Sequence, residues 1–193
     1  MLQDTRPEGQ AVPRTAAERP VSFFCQDDSR CGLWPMQRRR ITISGVKPVG
    51  SVPYGFENFY GDGAIAPTTG ESSFLEFPHL NTVNFQIFLP ELAGHYQETR
   101  NVVLMDNGRC HKAKSLVTPP HVVCLCLPPS TPELNPIARR WQDINEQLAW
   151  GLAASIEELE HQVEMIIQRY PKVAIQSLTA YLYLVHAVNA LSS

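Results

Sequence analysis

Two short apolar runs in this chain end in acids. Val21 to Cys25 leads through Gln26 into Asp27 and Asp28, and Val102 to Met105 leads into Asp106 and Asn107. An acid just past an apolar strand sits at the rim of a sheet, where open α/β sheets tend to build their sites. Two such carboxylates on neighbouring strands can share a divalent cation, since magnesium prefers one or two carboxylates together with phosphate oxygens and water. A pair of such ions can clamp the attacking and the leaving oxygen of a phosphodiester. On residue type alone the plainer reading is the stronger: Asp27, Asp28 and Asp106 solvate strand ends or start turns.

The cysteines offer less. They stand at 25, 31, 110, 124 and 126, an odd count without a CxxC pair. Cys110, His111, Cys124 and Cys126 are conceivable zinc ligands, but Cys124 and Cys126 alternate with Val123, Leu125 and Leu127 in a strand-like run, where cysteine acts as a small buried apolar residue. Met1 to Pro20 is polar and lacks the apolar stretch of a secretory signal, so reduced thiols in a cytosolic protein are expected. With no glycine-rich phosphate loop and no Ser-His-Asp order, nucleotide hydrolysis and serine chemistry are disfavoured.

The elements that would position the acids follow from periodicity. Val21 to Cys25, Arg39 to Ser44, Phe59 to Ala66 and Ser72 to Phe77 read as strands, the last two joined by a turn over Pro67, Thr68, Thr69 and Gly70. Asn81 to Tyr96 has helical spacing despite Pro90, Val102 to Met105 is a buried-strand run, His111 to Leu116 reads as a short helix, and Val122 to Leu127 is a further strand. From Asn135 onward Ile137, Trp141, Ile144 and Leu148 recur at helical spacing, with Pro136 suited to the first turn and Trp141 read as core. Ser155 with Glu158 resembles a capping box, and Lys172 to Leu191 reads as a last helix in which His186 is structural. A meander followed by alternating helices and strands implies an α/β fold: a mixed sheet with helices on its faces, in the order of a ribonuclease-H-like domain, though other mixed folds share it. Residues 1–20 read as a flexible leader and 21–193 as one domain with C-terminal helices.

Composition bounds the function classes. The chain has 193 residues, 44% apolar and 18% charged, enough for a real core, and no apolar run approaches a membrane span. Its net charge of -3 argues against a basic nucleic-acid module, but the acidity is local. Residues 1–142 hold 14 Lys+Arg against 13 Asp+Glu, whereas residues 143–193 hold 2 against 6.

Three longer motifs change the weight of the acids. Gln26-Asp27-Asp28-Ser29-Arg30-Cys31-Gly32-Leu33, followed by Arg38-Arg39-Arg40-Ile41-Thr42-Ile43-Ser44, resembles the first catalytic block of mariner-like DDE transposases of the bacterial insertion-sequence type. Val103 to Lys112 resembles the second block, whose Asp-Asn pair ends the central strand. Leu127 to Ile137, followed by Trp141, resembles the third, where the family writes Pro-Glu-Leu-Asn-Pro-Ile-Glu and then an aromatic. The likeness runs from about Val21 to Tyr170.

The resemblance implies a ribonuclease-H-like catalytic domain in which Asp27 and Asp106 hold Mg2+ or Mn2+, with Asp28 in a neighbouring position. It implies cleavage of DNA at the element's ends by activated water, then attack of the freed 3′-hydroxyl on target DNA. The family's third carboxylate falls on Ala138, a departure at the centre of the site. Glu133 is the best stand-in; Asp143 lies about 140° further around a helix and Glu146 roughly 12 Å along it. A ligand must be placed to within about half an ångström, so strand transfer is expected to be impaired. Arg38, Arg39 and Arg40 are candidates to track a DNA backbone or to protect a sheet edge; His111, Lys112 and Lys114 are candidates for phosphate contacts or for a solvated helix start. Only 26 residues precede Asp27, without helical periodicity, so the chain reads as a catalytic fragment. Its expected partners are DNA and either a second copy or a companion helix-turn-helix polypeptide, in the cytoplasm on the nucleoid.

Overall fold

The computed structural model describes residues 19–33, 43–45, 55–106, 116–128, 131–149 and 153–191. Strand β1 (Val21–Gly32) pairs antiparallel with β2 (Asn58–Ile65), which pairs antiparallel with β3 (Ser72–Phe77). On its other side β1 pairs parallel with β4 (Arg100–Met105), and β4 pairs parallel with β5 (Val122–Cys126). The order β3-β2-β1-β4-β5 is the mixed sheet expected of a ribonuclease-H-like domain. The β2–β3 turn forms where it was expected: Gly70 adopts φ 74, and its N–H and that of Thr69 both donate to the Ala66 carbonyl.

Helix α1 (Thr82–His95) covers one face. Asn81 caps it by accepting from the Asn84 N–H at 2.8 Å, and Pro90 lies on its exposed side, where the freed carbonyl one turn back can meet water. Phe85, Phe88, Leu89 and Leu92 bury against Phe24, Ala64, Val103 and Met105 from the sheet.

The second face carries α2 (Ile137–Leu148), α3 (Ile156–Arg169), α4 (Lys172–Thr179) and α5 (Leu182–Leu191). Ile137, Trp141, Ile144, Val163 and Ile175 pack there against Phe23, Cys25, Ile65 and Leu104. The Ser155 hydroxyl accepts from the Glu158 N–H at 3.3 Å, and the Glu158 carboxylate accepts from the Ala154 N–H at 2.7 Å, so the capping signal is real. Arg140, fully buried on α2, joins α2 to α3. It donates to Asp143 at 2.9 Å and to the Ile166 carbonyl at 3.3 Å, and its guanidinium carbon lies 3.8 Å from the Tyr170 ring centroid. Burial pulls the Arg140 guanidinium below its ordinary value, and Asp143 opposes that pull.

Three expectations need correction. β1 runs on to Gly32 because β2 continues to pair with it, so Asp27 and Asp28 lie within the strand rather than at its end. The last helix is two: the Thr179 hydroxyl bonds back to the Ile175 carbonyl at 2.6 Å, and the chain turns at Ala180 before α5. Cys126 is disulfide-bonded, against the expectation of reduced thiols throughout; spacing in a sequence does not show which sulfurs a fold brings within bonding distance. Nearly all of the expected leader, the 39–44 strand up to residue 42, and the 111–116 helix up to residue 115 lie outside the described residues, and Ser44 and Gly45 form a turn. No described helix is long and apolar enough to cross a membrane.

Candidate active site

The parallel register of β1 and β4 runs from Val21 opposite Arg100 to Cys25 opposite Leu104. The pairing ends there, and a continuation by two residues would set Asp27 level with Asp106. Cys25 and Leu104 both face the α2 side, so strand alternation turns Asp27 to that same side, and Asp106 is the first residue after β4. Neighbouring strands lie about 4.8 Å apart, a separation that two carboxylates bridging one cation can span. Asp27 is half-buried and Asp106 exposed, at the mouth where β4 stops and β1 continues. Asp28 alternates to the α1 side, where its cross-strand partner is the buried Asp62.

The backbone at Asp27 is held by its neighbour. Gln26, fully buried, donates from Nε2 to Asp62 Oδ1 at 2.6 Å, and its carbonyl accepts from Asn135 Nδ2 at 2.9 Å. Asn135 follows a single 3-10 turn over Pro132–Leu134 and precedes α2. The segment that carries it is braced by the Thr131 hydroxyl on the Pro128 carbonyl at 2.8 Å and by the Tyr183 hydroxyl on the Leu134 carbonyl.

Opposite Asp27, β2 has no side chain. Gly63 is its cross-strand partner, and Gly61 lies two residues on. A Cβ on Gly61 would meet Trp141 at 2.8 Å, and one on Gly63 would meet Phe74 at 2.6 Å and Trp141 at 3.0 Å. The glycines thus form a notch into which the indole sits, 5% exposed, edge-on to Phe74 with centroids 5.4 Å apart. Trp141 is core, and it docks α2 beside the acid pair. Ala138 lies one helical turn before Trp141 on neighbouring helix surface, half-buried, its N–H donating to the Asn135 carbonyl at 3.1 Å.

Glu133 is exposed on the 3-10 turn. Among the described residues no three His, Cys, Asp or Glu are grouped to hold a metal, so Glu133 is not gathered with Asp27 and Asp106 into a three-carboxylate set. Arg38, Arg39, Arg40, His111, Lys112 and Lys114 lie outside the described residues. Two hard carboxylates on adjoining strands suit Mg2+ or Mn2+, which need few protein ligands when water and phosphate complete the shell. Of the described thiols, burial raises Cys25, and it raises Cys31 to about 12 with the nearby Glu76 adding to the rise. Sequence reasoning missed Gln26 and Asn135. The available signal was an amide on each side of the acid chemistry, one inside an apolar strand and one before a helix-starting proline.

A family model described as DDE superfamily endonuclease matches residues 22–160. The uncharacterised protein y4pE/y4sA of Sinorhizobium fredii is 32% identical over 81 residues, 42% of this chain and 60% of that protein. Among solved structures, the Mos1 mariner paired end complex with Mn has a TM-score of 0.65 at 15% identity, covering 82% of this chain and 52% of that one. The Mos1 strand transfer complex has a TM-score of 0.60 at 13% identity, covering 92% and 62%. A pre-cleavage Mos1 transpososome has a TM-score of 0.61 at 12% identity, covering 98% and 68%. At such identities the likeness to Mos1 is one of fold, and the chain spans less than two thirds of the first two Mos1 chains, 52% and 62%.

Proposed function

The chain belongs to the DDE superfamily endonucleases, and from that premise we propose that it is the catalytic domain of an insertion-sequence transposase, acting on DNA phosphodiesters. The observation that carries this reading is the parallel β1–β4 register, whose continuation past Cys25 and Leu104 would bring Asp27 and Asp106 alongside each other. The Mos1 neighbours, solved as strand transfer and paired end complexes, with Mn in one and Mg in another, support DNA as substrate and a divalent cation as cofactor. Asp27 and Asp106 would hold that cation. When bound, it supplies positive charge beside the phosphate and lowers the pKa of water.

The chain's own residues then divide the work. The Gln26 clamp keeps Asp27 in place, and the glycine notch lets α2 dock close beside it. Ala138, in the position of the family's third acid, brings no carboxylate, so charge developing on the phosphate is less well matched. Terms of this kind are worth about 3–4 kcal/mol, or about 10²–10³ in rate. DNA ends and target are the partners of this reading, together with a second copy or a companion helix-turn-helix polypeptide that supplies recognition.

Ala138 also favours a second reading, a domain that binds DNA or a transposase subunit without cleaving. Magnesium-dependent nicking of supercoiled DNA separates the two. Ala138→Glu should raise nicking by about 10²-fold. No gain in a folded variant that still binds the cation would refute the catalytic reading and leave the binding one, whose affinity should fall steeply with salt.

A further inference from the structure

Asn135 is 3% exposed, and its side chain does not cap the helix it precedes: the N-cap of α2 is Pro136, with no side-chain cap bond. Its Nδ2 instead reaches back 109 positions to the carbonyl of Gln26, the residue immediately before Asp27. That carbonyl lies just past the point where β1 loses its parallel neighbour, since pairing with β4 ends at Cys25 opposite Leu104. Gln26 is held a second time by its own side chain on Asp62. Among the described residues Asn135 Oδ1 and Gln26 Oε1 are buried with no hydrogen-bond partner. Burying an unpaired acceptor costs free energy that an apolar residue of similar size would avoid, so simple space-filling does not account for an amide here.

We propose that Asn135 is a positioning residue: it locks the backbone at Asp27 to the start of α2 and thereby fixes where position 138 stands against the Asp27–Asp106 pair. The inference rests on the two-carboxylate reading above. It means that the frame for a third carboxylate survives in this chain although Ala138 supplies none.

A double-mutant cycle in cation affinity tests it. Mn2+ binding is measured by the loss of its free-ion paramagnetic resonance signal for the wild type, N135A, A138E and N135A/A138E, with thermal melts of each. A138E should tighten Mn2+ binding at least tenfold. Adding N135A should remove most of that gain, in line with the 10–100-fold effects of groups that orient metal ligands. A merely structural Asn135 would lower the melting temperature and leave the ratio of affinities between A138E and wild type the same in both backgrounds, which would overturn the proposal. If A138E leaves Mn2+ affinity unchanged with Asn135 present, the two-carboxylate reading itself falls. Should N135A not fold, Asn135→Ser, too short to reach the Gln26 carbonyl, is read the same way.

Discussion

Asp143→Ala probes the clamp that ties the site-bearing helix to its neighbour. The Arg140 side chain is 0% exposed and that of Asp143 27%, with the two 2.9 Å apart. Removing the aspartate leaves a guanidinium with one long bond to the Ile166 carbonyl, the face of Tyr170, and an Nε that is buried without a partner among the described residues. Breaking a buried pair from one side costs about 3–5 kcal/mol. Asp143 is near enough to water for solvent to replace part of what is lost, so about 2–3 kcal/mol is expected. For a domain of this size each kcal/mol shifts the melting temperature by about 2–4 °C, giving a drop of about 4–12 °C. Arg140→Met should behave differently. It removes the buried charge, keeps the volume, and leaves Asp143 facing water and Gln147, so its cost should stay within about 1 kcal/mol. In the R140M background, Asp143→Ala should be close to neutral. Urea unfolding followed by far-ultraviolet circular dichroism, with equal slopes required for comparison, measures all four proteins. An Asp143→Ala cost below about 0.5 kcal/mol, or the same cost with and without Arg140, would refute the account of Arg140 as a buried charge dependent on this partner.

Two further outcomes follow from the same packing. Gly63→Ala would press a methyl to 2.6 Å from Phe74 and 3.0 Å from Trp141, so about 1–3 kcal/mol of stability should be lost, with a weakened near-ultraviolet dichroism band; an unchanged melt would show that the notch has slack. The Glu76 carboxyl is held above its ordinary value by desolvation and by Glu160 and Glu164, so the folded state binds its proton more tightly than the unfolded state does. That raised value destabilises progressively as pH rises through the carboxylate range, and the penalty then persists at neutral pH. Glu76→Gln should therefore raise the melting temperature at pH 7 and not below about pH 4, and an equal effect at both would oppose this.

Much of the scaffold is visible in local pattern. The β2–β3 turn, the capped start of α3 and the inward stripe of α2 each depend on residues within one or two turns of each other, and each was expected where it stands. The continuation of β1 through Asp27 was not, because it depends on β2, whose partner residues lie about 26 to 36 positions away. Asp27 and Asp106 stood out as acids after apolar runs, but only the fold shows that the strands carrying them are parallel neighbours. Gln26 and Asn135 escaped notice for the same reason: an amide gains meaning from what it touches, and these contacts are made across the fold. Glu133 stood out by chemical type, and the 3-10 turn carries it exposed, as Asp106 is.

The Asn135-to-Gln26 bond also bears on when the site comes into being. It closes a loop of more than a hundred residues, and the β1–β4 pairing beneath it closes one of nearly eighty. Contacts so distant along the chain carry a large closure entropy and form late relative to the hairpin. During synthesis β1, β2 and β3 emerge and can pair while β4 and α2 are still unmade. Asp27 is therefore produced long before Asp106, and its neighbour's carbonyl meets Asn135 only once the third motif block has left the ribosome. A nascent chain thus lacks the brace between α2 and the backbone at Asp27 until α2 has been made, which separates the making of the first strands from the moment at which the proposed site can assemble.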